Sequence, residues 1–178
     1  MLKGIIILSS ERSGSNLLRT LIGNHSNVSA PTASHLINFF EPIKHYYGNL
    51  NESLNLRKLF DDMMLVVNHP FNNWGLNLDF NYEEKSKNNI SNVIKMKDYF
   101  YKKKAELDKK NVYCSKEIHL FRYLDQLLKN LNDVKFIYLI RDPRDFAASW
   151  LSRPMGIHSS YDAAIKWSLE QNKLITFI

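Results

Sequence analysis

The chain has one cysteine, five prolines and six glycines in 178 residues, and each scarcity excludes something. A single thiol, Cys114, cannot close an internal disulfide, so a reducing compartment, the cytoplasm, is the expected setting. Cys114 lies in an apolar stretch and reads as buried packing rather than as a nucleophile. No apolar run approaches the roughly 20 residues of a membrane-spanning helix. The apolar run 5–8 is too short for the core of a signal peptide. Scarce glycine also narrows the choice of nucleotide site. The turn best built for a phosphate holds only Gly14, and it has no lysine ahead of a serine or threonine. That disfavours a Walker A loop, and a dinucleotide fold would want three spaced glycines.

Hydrophobic residues make up 44% of the chain and aromatic residues 12%, enough for one globular domain over 1–178. Lysine and arginine outnumber aspartate and glutamate by 24 to 18. That surplus suits a polyanionic ligand, nucleic acid or simple solubility. There is no repeat and no low-complexity linker.

Apolar periodicity predicts a strand over 4–9, a turn over 10–15 and a helix over 16–23. A short strand is expected near 28–30, and an aromatic, helical stretch over 35–48 interrupted by Pro42. A helix is predicted over 53–66, then a turn-rich stretch over 68–81. The lysine-rich stretch 83–110 reads as mostly helical, with its charges on a solvated face. A strand at 112–114, a helix over 118–131 and a buried strand over 135–140 follow. Asp142 and Pro143 then open another helix as N-cap and first helical residue, and the last helix spans 161–177. Strands alternating with helices predict a three-layer α/β/α domain around a parallel sheet, with ligands collecting beyond the carboxyl ends of its strands.

Two turns fall at that edge. In Glu11-Arg12-Ser13-Gly14-Ser15-Asn16, backbone N–H groups, two serine hydroxyls and a guanidinium converge above a helix N-terminus, an arrangement suited to phosphate or sulfate. In the second, Arg141 ends a strand and Ser149 lies about two helical turns into the next element. A planar fork plus a hydroxyl suits a phosphate monoester. Pairing of Arg141 with Asp142 or Asp145 is the competing reading.

Taken together, the two turns resemble the sulfotransferases that use 3′-phosphoadenosine 5′-phosphosulfate (PAPS). The resemblance covers 4–40 and 112–151, and includes the run His25-Ser26-Asn27-Val28; the stretch 50–110 carries none of it. It implies a P-loop NTPase-like fold in which Arg12, Ser13, Gly14, Ser15 and Asn16 hold the 5′-phosphosulfate and Arg141 and Ser149 the 3′-phosphate. It also implies transfer of a sulfuryl group to a hydroxyl acceptor, a small molecule or glycan, with carbohydrate, lipid, tyrosine and small alcohol all open, and with no metal, no nucleic-acid partner and no membrane span. A lysine beside the transferring group is expected at Lys116, although the proline that often follows is missing from Ser115-Lys116-Glu117-Ile118. A surface lysine paired with Glu117 is the alternative there.

An acceptor hydroxyl also wants a general base. Aligning on His25 and Pro31 puts Ala33 where relatives carry a glutamate, so His35 becomes the first candidate, ahead of Glu41 and His119. Tyr46, Tyr47, Phe71 and Trp74 are candidates for the acceptor pocket or for the core. The family usually continues past the 3′-phosphate serine with a further strand, helices and a basic glycine-containing loop, so a domain incomplete at its C-terminus is expected. Trp150, Trp167 and Phe177 would then be partly uncovered, favouring a homodimer. An inactive nucleotide-binding module and, less favoured, a P-loop-like phosphotransferase remain as alternatives.

Overall fold

Alternation in β1 (Lys3–Ser9) decides the architecture, because Ile6 and Leu8 face one side of a sheet while Ile5 and Ile7 face the other. A strand apolar on both faces belongs inside a parallel sheet. The computed structural model describes residues 3–154 and 156–176, and in it β1 lies between two parallel neighbours. The strands β2 (Val28–Ser29), β3 (Val112–Lys116) and β4 (Val134–Leu139) join it in the order β2-β3-β1-β4. Register sets Ile7 beside Lys116 on one side and Ser9 beside Leu139 on the other, so all three strand ends finish at the same edge.

Helix α1 (Ser15–Gly23) covers one face, with Leu18 and Ile22 packed on Ile7, Val28 and Cys114. The other face carries α6 (Leu124–Asn130) and α8 (Ser160–Ile175), whose Leu124, Leu127 and Leu174 meet Ile6 and Leu8. The largest core is built on α3 (Ser53–Asn68) and α5 (Val93–Leu107) around Leu59, Phe60, Met63, Trp74, Phe100 and Tyr101. Each such side chain, fully buried, contributes about 1.5–3 kcal/mol. Gly4 is required where β1 enters the sheet. A Cβ there would fall 2.4 Å from the Tyr113 ring, which lies across it. The three-layer arrangement anticipated above is therefore the one observed.

Several local expectations change. The stretch 83–110 is two helices, α4 (Tyr82–Lys87) and α5, parted at 88–92, where Asn89 is left-handed (φ 53°) and Asn92 caps α5 by accepting from the Lys95 amide at 2.9 Å. Its lysines do not all face solvent. Lys85 is buried with Nζ 3.8 Å from the Tyr99 ring centroid and 5.0 Å from that of Phe60. Lys97 is buried with Nζ 4.7 Å from the Tyr101 ring. Pro42 splits 35–48 into α2 (Leu36–Phe40) and a 3₁₀ turn at Lys44–Tyr47. The helix expected over 118–131 begins as a 3₁₀ turn at Leu120–Tyr123. Strand β4 lies at the edge of the sheet and is only half-buried, with Ile140 exposed just beyond it. The helix α7 (Pro143–Leu151) follows as predicted. Trp150 and Trp167 are half-buried; Phe177 lies outside the described residues. Among the described residues no helix is long and apolar enough to cross a membrane.

Candidate active site

The turn after β1 is shaped by two left-handed residues, Arg12 (φ 61°) and Gly14 (φ 86°). For glycine this conformation is free; for arginine it costs energy that the surrounding fold must hold in place. A Cβ added at Gly14 would meet no atom within 4 Å, so this flank of the turn is open to a ligand. Helix α1 starts with no side-chain cap and no acidic residue in its first turn, leaving its amides free and its dipole unopposed. Ser13 is buried, and its hydroxyl has no partner among the described residues. Ser15 is buried beside it, while Asn16 faces out.

Because β1 and β4 are neighbours, the second turn arrives alongside. Arg141 donates through Nη1 to the Arg12 carbonyl at 2.6 Å, and Arg12 donates through Nε to the Ser149 hydroxyl at 3.1 Å. Pairing of Arg141 with Asp142 does not occur. Asp142 instead caps α7 by accepting from the Arg144 amide at 2.8 Å, and it binds the Arg144 guanidinium at 3.0 and 2.7 Å. Those bonds hold its carboxyl down at about 2.

A cavity of about 380 Å³ runs from Arg12, Gly14, Ser15 and Asn16 past Arg141 to Lys116 and His35. Lys116, at the end of β3, is buried rather than a surface residue. Burial, more than its neighbours' charges, pulls its ammonium below the ordinary lysine value, and Glu11 opposes the shift. Glu117 does not pair with it. Its carboxylate turns inward, and Oε2 accepts from the Ile37 amide at 3.1 Å at the start of α2. Burial pushes the Glu117 carboxyl up and the Lys97 ammonium down, and the charge of fully buried Lys97 is the strongest influence opposing the shift of Glu117.

His35 is also left-handed (φ 57°) and immediately precedes α2. Burial first, then the charges of Lys116 and His119, lower its pKa, while Glu11 opposes them. The imidazole is therefore neutral near pH 7. The Ile118 amide presents its hydrogen to Nδ1 at 3.5 Å, so in this arrangement Nε2 carries the ring hydrogen. Accepting a proton at Nε2 requires the other tautomer, reached by giving up a contact at the limit of hydrogen bonding. Of the other bases considered, Glu41 is buried and paired with Lys44 away from this cavity. His119 (φ 56°) lies 3.6 Å from the Glu11 carboxylate.

Three contacts were not anticipated from the sequence, and all come from α8. Lys166 lies 3.6 Å from Glu11, Trp167 donates through Nε1 to the Arg141 carbonyl at 3.0 Å, and Gln171 donates to the Ser10 hydroxyl at 2.6 Å. Trp167 and Gln171, four residues apart on one helical face, were the available signal.

The sheet order and its flanking helices define a three-layer α/β protein with a cavity at the strand ends, the edge where ligands collect in such sheets. The sequence model of the sulfotransferase family matches residues 4–176, and the chain belongs to that family. Among solved structures, it is similar to the sulfotransferase domain from the curacin biosynthetic pathway, at 19% identity and a TM-score of 0.60 over 99% of this chain and 62% of that one. It is similar as well to the sulfotransferase domain from the Synechococcus PCC 7002 olefin synthase, at 18% identity and a TM-score of 0.62 over 98% of this chain and 60% of that one. At such identities the likeness is one of fold, and the chain spans about three fifths of the length of both domains. A comparison with curated proteins returned no match.

Proposed function

We propose that this protein transfers a sulfuryl group from PAPS to a hydroxyl acceptor. The observation that carries the proposal is the meeting of Arg12, Arg141 and Ser149, 129 and 137 residues apart in sequence, at the mouth of one cavity that ends at Lys116 and His35. The residues fit the donor. The unpartnered Ser13 hydroxyl, the open flank at Gly14 and the uncapped amides of α1 suit a 5′-phosphosulfate, and Arg141 with Ser149 suits a 3′-phosphate.

In the reaction the acceptor oxygen forms a bond to sulfur as the bond between sulfur and the phosphate oxygen breaks. The electron pair leaves on adenosine 3′,5′-bisphosphate. Arg12, the α1 amides and Lys116 stabilise charge on the departing phosphate and the moving group, which is where most catalysis of such a loose transfer resides. His35, neutral at pH 7, takes the hydroxyl proton. Positive charge for the step comes from arginine, lysine and the helix end. Calorimetry with adenosine 3′,5′-bisphosphate and a PAPS-turnover assay across mixed phenols, alcohols and sugars test the reading. Absence of bisphosphate binding overturns it, and binding without turnover reduces the protein to a nucleotide-binding module.

A further inference from the structure

A second cavity, of about 430 Å³, opens on the other side of His35. The imidazole thus belongs to both spaces, one lined by Arg12, Lys116 and Arg141, the other by Ala33, Phe39, Leu65, Val66 and Phe71. No lysine, arginine, aspartate or glutamate lines the second. Two of its polar residues are turned to their own backbone. Asn72 donates to the Val66 carbonyl at 2.8 Å, and His69 Nδ1 accepts from the Phe71 amide at 3.3 Å. These bonds fix the turn that carries Phe71.

Three of the apolar walls do little for the core. Leu65 is 72% exposed, Phe71 81% and Phe39 53%, whereas Met63 and Val67 on the same helix are fully buried. Three large apolar side chains held in solvent around a hollow call for an apolar occupant. The volume lies within the ~300–1,000 Å³ of small-molecule sites. Ala33 widens the space beside His35 where a glutamate would have filled and charged it.

We propose that this cavity is the acceptor subsite and that it takes the body of an apolar alcohol or phenol, its hydroxyl held at His35 facing the donor cavity. The inference rests on the sulfuryl-transfer reading and adds the acceptor class. A sugar, which brings several hydroxyls to be satisfied, would leave them unpaired against these walls.

The test uses the whole chain. Adenosine 3′,5′-bisphosphate is titrated first, which examines the donor site alone. Then 2-naphthol, followed by its fluorescence, is titrated into the bisphosphate-saturated protein, and into the double variant that carries Leu65→Gln and Phe71→Ser. Both side chains are exposed, so the fold tolerates the changes, and circular dichroism checks it. The expected result is naphthol binding that weakens at least about tenfold in the double variant, unchanged bisphosphate affinity, and no competition by N-acetylglucosamine. Equal naphthol binding by wild type and variant overturns the proposal, as does preferential binding of the sugar. So does a wild-type dimer by sedimentation that the double variant dissociates without altering naphthol binding, since a second copy would then be the occupant. Loss of bisphosphate binding with the naphthol result intact sinks the sulfuryl-transfer reading but leaves the apolar cavity standing.

Discussion

Both β1–α1 and β4–α7 pass from a strand through a short arginine-bearing turn into a nine-residue helix at the same edge of the sheet. Their helix ends are opposite in design. That of α1 is left open by Gly14, without a side-chain cap or an acidic residue. That of α7 is closed by Asp142, with Pro143 at the first position, Asp145 in the first turn and Arg144 clamped onto the cap. The first unit offers an anion its backbone; the second shuts its backbone away and offers Arg141 and Ser149 instead. A helix N-terminus is an anion site only where the sequence declines to cap it.

Substitutions can break this contrast. The largest effect is expected from Lys116→Ala, at the end of β3 on the side of β1 away from β4. Turnover should fall by about 10²–10³ with a much smaller change in bisphosphate affinity, and equal losses in both would assign Lys116 to ground-state binding. Arg141→Ala should weaken the bisphosphate by about 2 kcal/mol, roughly 30-fold by calorimetry, because a charge-assisted contact is lost. Asp142→Ala, one residue on, should lower the unfolding midpoint and leave bisphosphate binding unchanged; a binding loss there would show that the closed helix end also serves the ligand.

The pH profile comes next in size. With the His35 pKa lowered by burial and by Lys116 and His119, kcat should fall on the acid side only below about 6.5, as the imidazole gains its proton, and His35→Gln should remove that limb. The lowered Lys116 should add an alkaline limb below about 10.5, where its charge is lost. The smallest effect sharpens the contrast most. Asn16→Asp should stabilise α1 by about 0.3–1 kcal/mol in thermal unfolding while weakening the bisphosphate, because the same dipole cannot serve both charges.

What was legible in the sequence was local. The apolar run over 5–8, the hydroxyl-rich turn and the Asp142-Pro143 start each carry their signal within a few residues, and the parallel sheet, though not its strand order, follows from the alternation of strands and helices. Lys85 and Lys97 were misplaced because their surroundings are set by the tertiary fold: the Phe60 ring from α3 lies beside one, and the charge of Glu117, beyond β3, acts on the other. Glu117 looked like a partner for its neighbour Lys116, but it lies just past the end of β3 and its carboxylate is taken by the Ile37 amide, far away in sequence. Trp74 proved to be core, its indole donating to the Thr32 carbonyl at 2.9 Å, while Phe71, three residues earlier, lines the apolar cavity. Composition could not separate those two, because the difference lies in which side of one turn each occupies. The break at 88–92 was readable in its asparagines, which favour caps and left-handed turns over helix interiors.

Helix α8 contributes nothing to the lining of the charged cavity, yet it ties Ser10, Glu11 and Arg141 to one rigid rod. A version of the protein cut before Ser160 would therefore keep both arginine-bearing turns while losing the splint that ties them together. Its affinity for a ligand gripped at both ends should suffer more than its affinity for inorganic phosphate, which needs only one.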